Sequence, residues 1–170
     1  MASGKTTVGR ELFNSSKIFS EILDLDREIE KQLNRKVTQI FSESGEDFFR
    51  KIETQTLSEI CKKKNALISL GGGSVIKDEN VRLIKSTGKV VWLKAEAKTI
   101  LSRLSSSLNP EERPLINGKS ESLISQMIDE RNDLYDRIFD FKVDVDGKST
   151  EEICELIIKW LNGNEYGNEI

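Results

Sequence analysis

The sequence predicts an α/β fold built on a parallel sheet, and three observations predict it. Four apolar runs of strand length, at 20–25, 66–70, 89–93 and 141–145, alternate with stretches of helical periodicity. Gly4-Lys5-Thr6 opens the first of those helices, a pattern that faces backbone N–H groups and a lysine toward phosphate. Gly71-Gly72-Gly73 follows directly on the second apolar run. Three successive glycines cost chain entropy, which is tolerated where backbone must come close to something.

The elements follow in order. Val8, Leu12 and Phe13 give a short amphipathic helix after the glycine-lysine turn. The run 20–25 is a strand whose end carries Asp24 and Asp26, and a helix covers about 27–33. Val37, Ile40 and Phe41 continue a helical stripe that Ser44-Gly45-Glu46 breaks. A long helix then spans 46–64 with Phe49, Ile52, Leu57 and Ile60 inward, stopped by Asn65. The strand 66–70 runs into the triple glycine, a short helix lies near 80–85, and 89–93 is the next strand. Residues 95–105 are helical. The polar stretch 105–119 holds both prolines and Arg113 and reads as a mobile lid. A helix at 121–138, a strand at 141–145 and a helix at 150–161 with Ile153, Leu156, Ile157 and Trp160 inward close the domain. Residues 1–162 thus form one domain, and 163–170 a tail.

Composition sets limits on function. The 170 residues suit one domain with a proper core, 36% hydrophobic and 32% charged. A net charge of −3 with interleaved signs argues against a nucleic-acid partner. The chain has no histidine, which excludes His-based metal sites and Ser-His or Cys-His catalytic pairs. Cys61 and Cys154 stand far apart, and neither a signal peptide nor a membrane-length apolar run is visible. Reduced, structural thiols in a cytoplasmic protein without membrane attachment are the expectation.

Several residues carry chemistry. Lys5 supplies a point charge for phosphate, and the Thr6 hydroxyl can ligate Mg²⁺. Asp24 and Asp26, two apart on a strand, are expected to point the same way at the sheet end where ligands bind. One carboxylate can steady Mg²⁺ and the other accept a proton, or one of them caps the next helix. Arg50 lies close to the apolar face of its helix and needs a carboxylate partner, either Glu53 or a ligand's, unless it forms a solvated i,i+3 pair. Arg113 resembles an arginine that closes over transferring phosphate. Arg131, in an acidic run, reads from the residues alone as one more solvated charge.

Taken together, Ser3-Gly4-Lys5-Thr6-Thr7-Val8-Gly9-Arg10, Leu23-Asp24-Leu25-Asp26, Gly45-Glu46-Asp47-Phe48-Phe49-Arg50-Lys51-Ile52-Glu53, Ser69-Leu70-Gly71-Gly72-Gly73-Ser74-Val75, Glu112-Arg113-Pro114-Leu115 and Glu130-Arg131-Asn132-Asp133-Leu134-Tyr135 resemble the shikimate kinase family. The resemblance implies a three-layer, P-loop, nucleoside-monophosphate-kinase-like fold with sheet order 2-3-1-4-5. It implies an ATP- and Mg²⁺-dependent transfer to the 3-hydroxyl of shikimate, on the route to chorismate and the aromatic amino acids, by a cytoplasmic monomer. By that resemblance Ala2, Ser3, Gly4, Lys5, Thr6 and Thr7 hold the nucleotide, with Arg103 and Lys148 flanking adenine. Thr6 and Asp24 hold the metal, while Lys5, Asp26 and Arg113 are catalytic. Asp26, Arg50, Gly71, Gly72, Gly73 and Arg131 bind shikimate in a part spanning about 24–64 and beyond, the two arginines pairing with its carboxylate and Glu53 orienting Arg50. A same-fold kinase for another polyol acid such as gluconate, or a non-catalytic relative, stays open as an alternative.

The sequence departs from the family pattern at its start. An apolar strand leading into the first loop glycine is missing before Met1. In the family's order that strand is the central one, so the expectation is four parallel strands with a gap or strained spacing between the triple-glycine strand and the Trp92 strand. An internal methionine at Met1, with a natural start some ten residues earlier, is the reading favoured over true truncation.

Overall fold

The computed structural model describes residues 2–105 and 120–163. Helix α1 (Lys5–Ser15) is followed by β1 (Glu21–Asp24), α2 (Leu25–Leu33), α3 (Val37–Ile60) and β2 (Ala66–Ser69). After these come α4 (Asp78–Thr87), β3 (Val91–Lys94), α5 (Ala97–Ser105), α6 (Glu121–Asp136), β4 (Phe141–Asp144) and α7 (Thr150–Leu161).

Local chemistry sets most boundaries. α1 starts where Gly4 takes a φ of 93°, open to glycine at little cost. Asn34, in the left-handed region at φ 49°, ends α2. α3 is bent at Gly45, whose φ of 80° and ψ of 170° leave the helical region. The Ser44-Gly45-Glu46 break is therefore real, though the helix resumes at once. Ser149 and Glu152 form a reciprocal capping box on α7 at 3.2 and 2.7 Å.

The four strands make two separate parallel pairs. β1 pairs with β2, Glu21 opposite Ala66, and β3 with β4, Val91 opposite Phe141. β2 and β3 are not hydrogen-bonded to each other. A cavity of about 100 Å³ is lined by Leu70, Gly71 and Gly72, just past β2, on one side and by Val90 to Leu93 on the other. The expected gap between the triple-glycine and Trp92 strands is thus present.

The two pairs still behave as halves of one layer. Leu67, Val91, Leu93 and Val143 pack into a core with α1, α5, α6 and α7, around Val8, Leu12, Ile128, Ile153 and Ile157. Leu23, Ile68 and Val90 pack into a second core under α2, α3 and α4, around Leu25, Ile29, Ile40, Phe49 and Leu57. Alternate residues of each strand point to opposite faces, which sorts the apolar side chains between two helical layers. Both cysteines are free thiols, with Cys154 buried and pushed up to about 11 by that burial.

One expectation needs correction. Asp26 is not a strand residue, since β1 ends at Asp24 and Leu25 opens α2. Asp24 is the N-cap of α2, its Oδ1 accepting the Arg27 N–H at 3.3 Å. Strand alternation therefore does not align the two carboxylates. Asp26 projects from the first helical turn, where an acid suits the positive end of the helix dipole.

Candidate active site

The C-terminal ends of β1 and β2, the start of α1 and one face of α3 border a cleft of about 580 Å³. At its anion end, α1 begins with no side-chain cap and no acidic residue in its first turn. The positive end of its dipole borders the cleft, where an anion is favoured. Ala2, Gly4, Lys5, Thr6, Thr7, Asp24 and Arg103 line this end. Ser3 is buried beside it, and Arg103 Nη1 donates to the Ala2 carbonyl at 3.1 Å, tying α5 to the loop.

Asp26 stands between the two ends. Burial raises its carboxyl from an ordinary 3.8 to about 6, with Asp24 and Glu53 adding to the rise and Lys5 opposing it. Its ionised form is therefore present at neutral pH yet has real proton affinity.

The far end is built on Arg50. Its Nη1 donates to Glu53 Oε2 at 2.8 Å, and its Nε and Nη2 both donate to Glu46 Oε1 at 3.1 and 3.0 Å. Burial pulls the guanidinium pKa down, and Glu53 with Glu46 more than reverses this. Glu53 is itself 1% exposed and accepts from Ser74 Oγ at 2.8 Å. Asn80 Nδ2 donates to the Ser74 carbonyl at 2.9 Å, fixing the turn after the glycines.

The glycines are there for close approach. A Cβ on Gly73 would lie 2.5 Å from Arg50 Nη2, and one on Gly71 would lie 3.1 Å from Asp26 Oδ1. The Gly72 carbonyl accepts from Tyr135 Oη at 2.6 Å. Arg131, one helical turn before Tyr135, is 8% exposed and lines the same cleft. It is not the solvated charge that its acidic neighbours suggest. Burial lowers its pKa, and the Arg50 guanidinium adds to that effect. Arg131 thus brings a buried cation into the cleft that Arg50 also lines, and a ligand's anion there would relieve its burial.

Lys5, Asp24, Asp26, Arg50, Gly71, Gly72, Gly73, Arg103 and Arg131 thus meet in one cleft. Lys148 is exposed and outside its lining. Arg113 and nearly all of the lid at 105–119 lie outside the described residues, as does the tail beyond 163. Sequence reasoning missed Glu46, Ser74, Asn80 and Tyr135. Glu46 and Tyr135 carried a usable signal, each four residues from an arginine on one helix face. Among the described residues no cluster of three metal-ligating side chains occurs, and no helix is long and apolar enough to cross a membrane.

Comparison with known proteins gives a consistent result. A family model described as shikimate kinase matches residues 1–162. The shikimate kinase of Dictyoglomus turgidum is 37% identical over 164 residues, covering 95% of this chain and 92% of that protein. The shikimate kinase of Thermodesulfovibrio yellowstonii is 36% identical, covering 94% and 89%. Among solved structures, the shikimate kinase from Acinetobacter baumannii in complex with shikimate is similar at a TM-score of 0.87. It is 27% identical, with 98% of this chain and 91% of that one covered. The enzyme from Aquifex aeolicus is similar at 0.78 and 34% identity, covering 96% and 92%.

Proposed function

The chain belongs to the shikimate kinase family, and from that we propose that its cleft transfers the γ-phosphoryl group of ATP to the 3-hydroxyl of shikimate. The observation that carries this reading is the meeting of Arg50, Arg131, Asp26 and Lys5 in one cavity. The start of α1 fits a nucleotide triphosphate, with an uncapped helix end and a lysine facing the cleft. Thr6 and Asp24 fit Mg²⁺, which keeps most of its coordination for phosphate and water and so needs no cage of protein ligands. When bound, that ion neutralises charge on the phosphates.

The chain's own residues then divide the work. Arg50 and Arg131 hold the acceptor's carboxylate and so orient its ring. The Asp26 carboxylate takes the proton from the attacking hydroxyl, with its raised pKa matched to that task. Lys5 stabilises charge at the phosphates, joined by Arg113 from the lid. Arg103 borders the nucleotide end, and the adenine contact of Lys148 depends on its approach from outside the cleft lining. The enzyme works as a soluble cytoplasmic monomer without nucleic-acid or membrane partners.

The test is a coupled assay of ADP formation with shikimate and gluconate in parallel. Turnover is expected with shikimate alone, and turnover with gluconate alone would overturn the acceptor assignment. Arg50→Ala is expected to raise the shikimate KM at least about ten-fold, as loss of a charge-assisted pair implies. An unchanged KM would remove Arg50 from the carboxylate site.

A further inference from the structure

Arg50 has five N–H donors. Three are already committed without any ligand, and the two acids that hold them are unlike. Glu53 is buried at 1% exposure and locked from behind by Ser74 Oγ, so it belongs to the scaffold. The Glu46 side chain is 48% exposed. It nevertheless takes the Nε–Nη2 edge of the guanidinium, with one oxygen accepting both hydrogen bonds at 3.1 and 3.0 Å. The other edge, between Nη1 and Nη2, lies against Gly73, where a single added carbon would stand 2.5 and 2.9 Å from the two nitrogens.

A free carboxylate seeking two parallel hydrogen bonds from Arg50 thus finds its natural fork taken by a carboxylate of the protein itself. Glu46 also acts on the second arginine, since its charge favours the protonated form of Arg131 against the repulsion of Arg50. Its charge thus bears on both guanidiniums, while its hydrogen bonds go to Arg50. Glu46 directly follows Gly45, whose φ of 80° breaks α3, and a Cβ at Gly45 would meet nothing within 4 Å.

We propose, resting on the acidic-acceptor reading above, that Glu46 is an internal stand-in for the acceptor's carboxylate, holding the Nε–Nη2 fork of Arg50 until an acidic acceptor displaces it. The consequence is selectivity. A neutral polyol has no charge with which to compete for the fork, whereas a carboxylate exchanges one charge-assisted pair for another. The stand-in also keeps both cations compensated and Arg50 oriented while the cleft holds no acceptor.

The test is calorimetric titration of the unaltered chain, Glu46→Gln and Glu46→Ala with shikimate and with its uncharged methyl ester, without nucleotide. Removing the competitor is expected to lower the shikimate Kd about two- to five-fold, the scale of a half-exposed ion pair, and to leave the ester unimproved. In turnover the gain is expected in KM rather than kcat. Shikimate binding that is unchanged or weaker in both variants would overturn the proposal, weaker binding marking Glu46 as a support for Arg50. A structure of the unaltered chain with shikimate gives a check independent of any variant, since Glu46 is expected to have left the fork and its retention there would overturn the proposal. If the unaltered chain fails to bind shikimate, the acceptor reading falls and this inference with it. If it binds shikimate and the variants gain nothing, only the inference falls.

Discussion

At the scale of single residues, the cleft holds charge that the fold must tolerate. Asp26 retains its proton more tightly in the folded chain than in the unfolded one, at about 6 against 3.8. The sign follows from that order. This carboxyl favours folding in full below 3.8, and the contribution is lost as the pH rises through about 6. The difference amounts to about 3 kcal/mol if fully expressed, and partial exposure brings it nearer about 2. Asp26→Asn is therefore expected to raise the melting temperature of the ligand-free protein by about 5 °C at pH 8 while abolishing phosphoryl transfer. Near pH 4 the two proteins are expected to melt alike, and equal melting at pH 8 would contradict the burial of this charge. Asp24 and Asp26 were visible in the sequence as a pair, but their spacing fits both strand alternation and a helix cap with its first turn. Only the backbone decided that Asp24 caps α2 and Asp26 projects from the helix. Arg131 was hidden for a related reason. Its neighbours in sequence are acidic and polar, and burial came from elements distant in the chain.

At the scale of elements, the turn after β2 is set by what crosses it. A side chain on Gly73 would overlap the Arg50 guanidinium, and one on Gly71 would sit tightly against Asp26 and Ser74, so the triple glycine is a contact surface. Gly73→Ala is expected to push the guanidinium from its place and raise the shikimate KM about ten-fold or more, with kcat reduced less. A KM unchanged from the parent would contradict that packing. The long helix was legible from its apolar spacing and its break at Gly45 from glycine itself, because both signals are local. The end of α3 was less so: the expected stop at Asn65 is not where the helix closes, since α3 ends at Ile60 with Cys61 as its cap, and Asn65 in the left-handed region instead precedes β2.

At the scale of the whole molecule, two parallel pairs stand side by side with β2 and β3 unjoined. Hydrogen exchange reads this directly. Alternate amides of β2 and β3 are expected to be protected by β1 and β4, and the intervening ones, which have no strand partner on the other side, to exchange faster by about two orders of magnitude or more. Uniform protection along both strands would contradict the separation. The alternation of strand and helix, the order of the elements and the start of α1 at the Gly4-Lys5-Thr6 turn were determined by the sequence alone, because periodicity and turn chemistry act over a few residues. The convergence of Arg50, Arg131 and Asp26, the burial of Arg131 and the partnership of Glu46 were decided only by tertiary structure. The physical reason is that burial and charge pairing depend on distances between segments far apart in the chain, and no local pattern of residues encodes those distances.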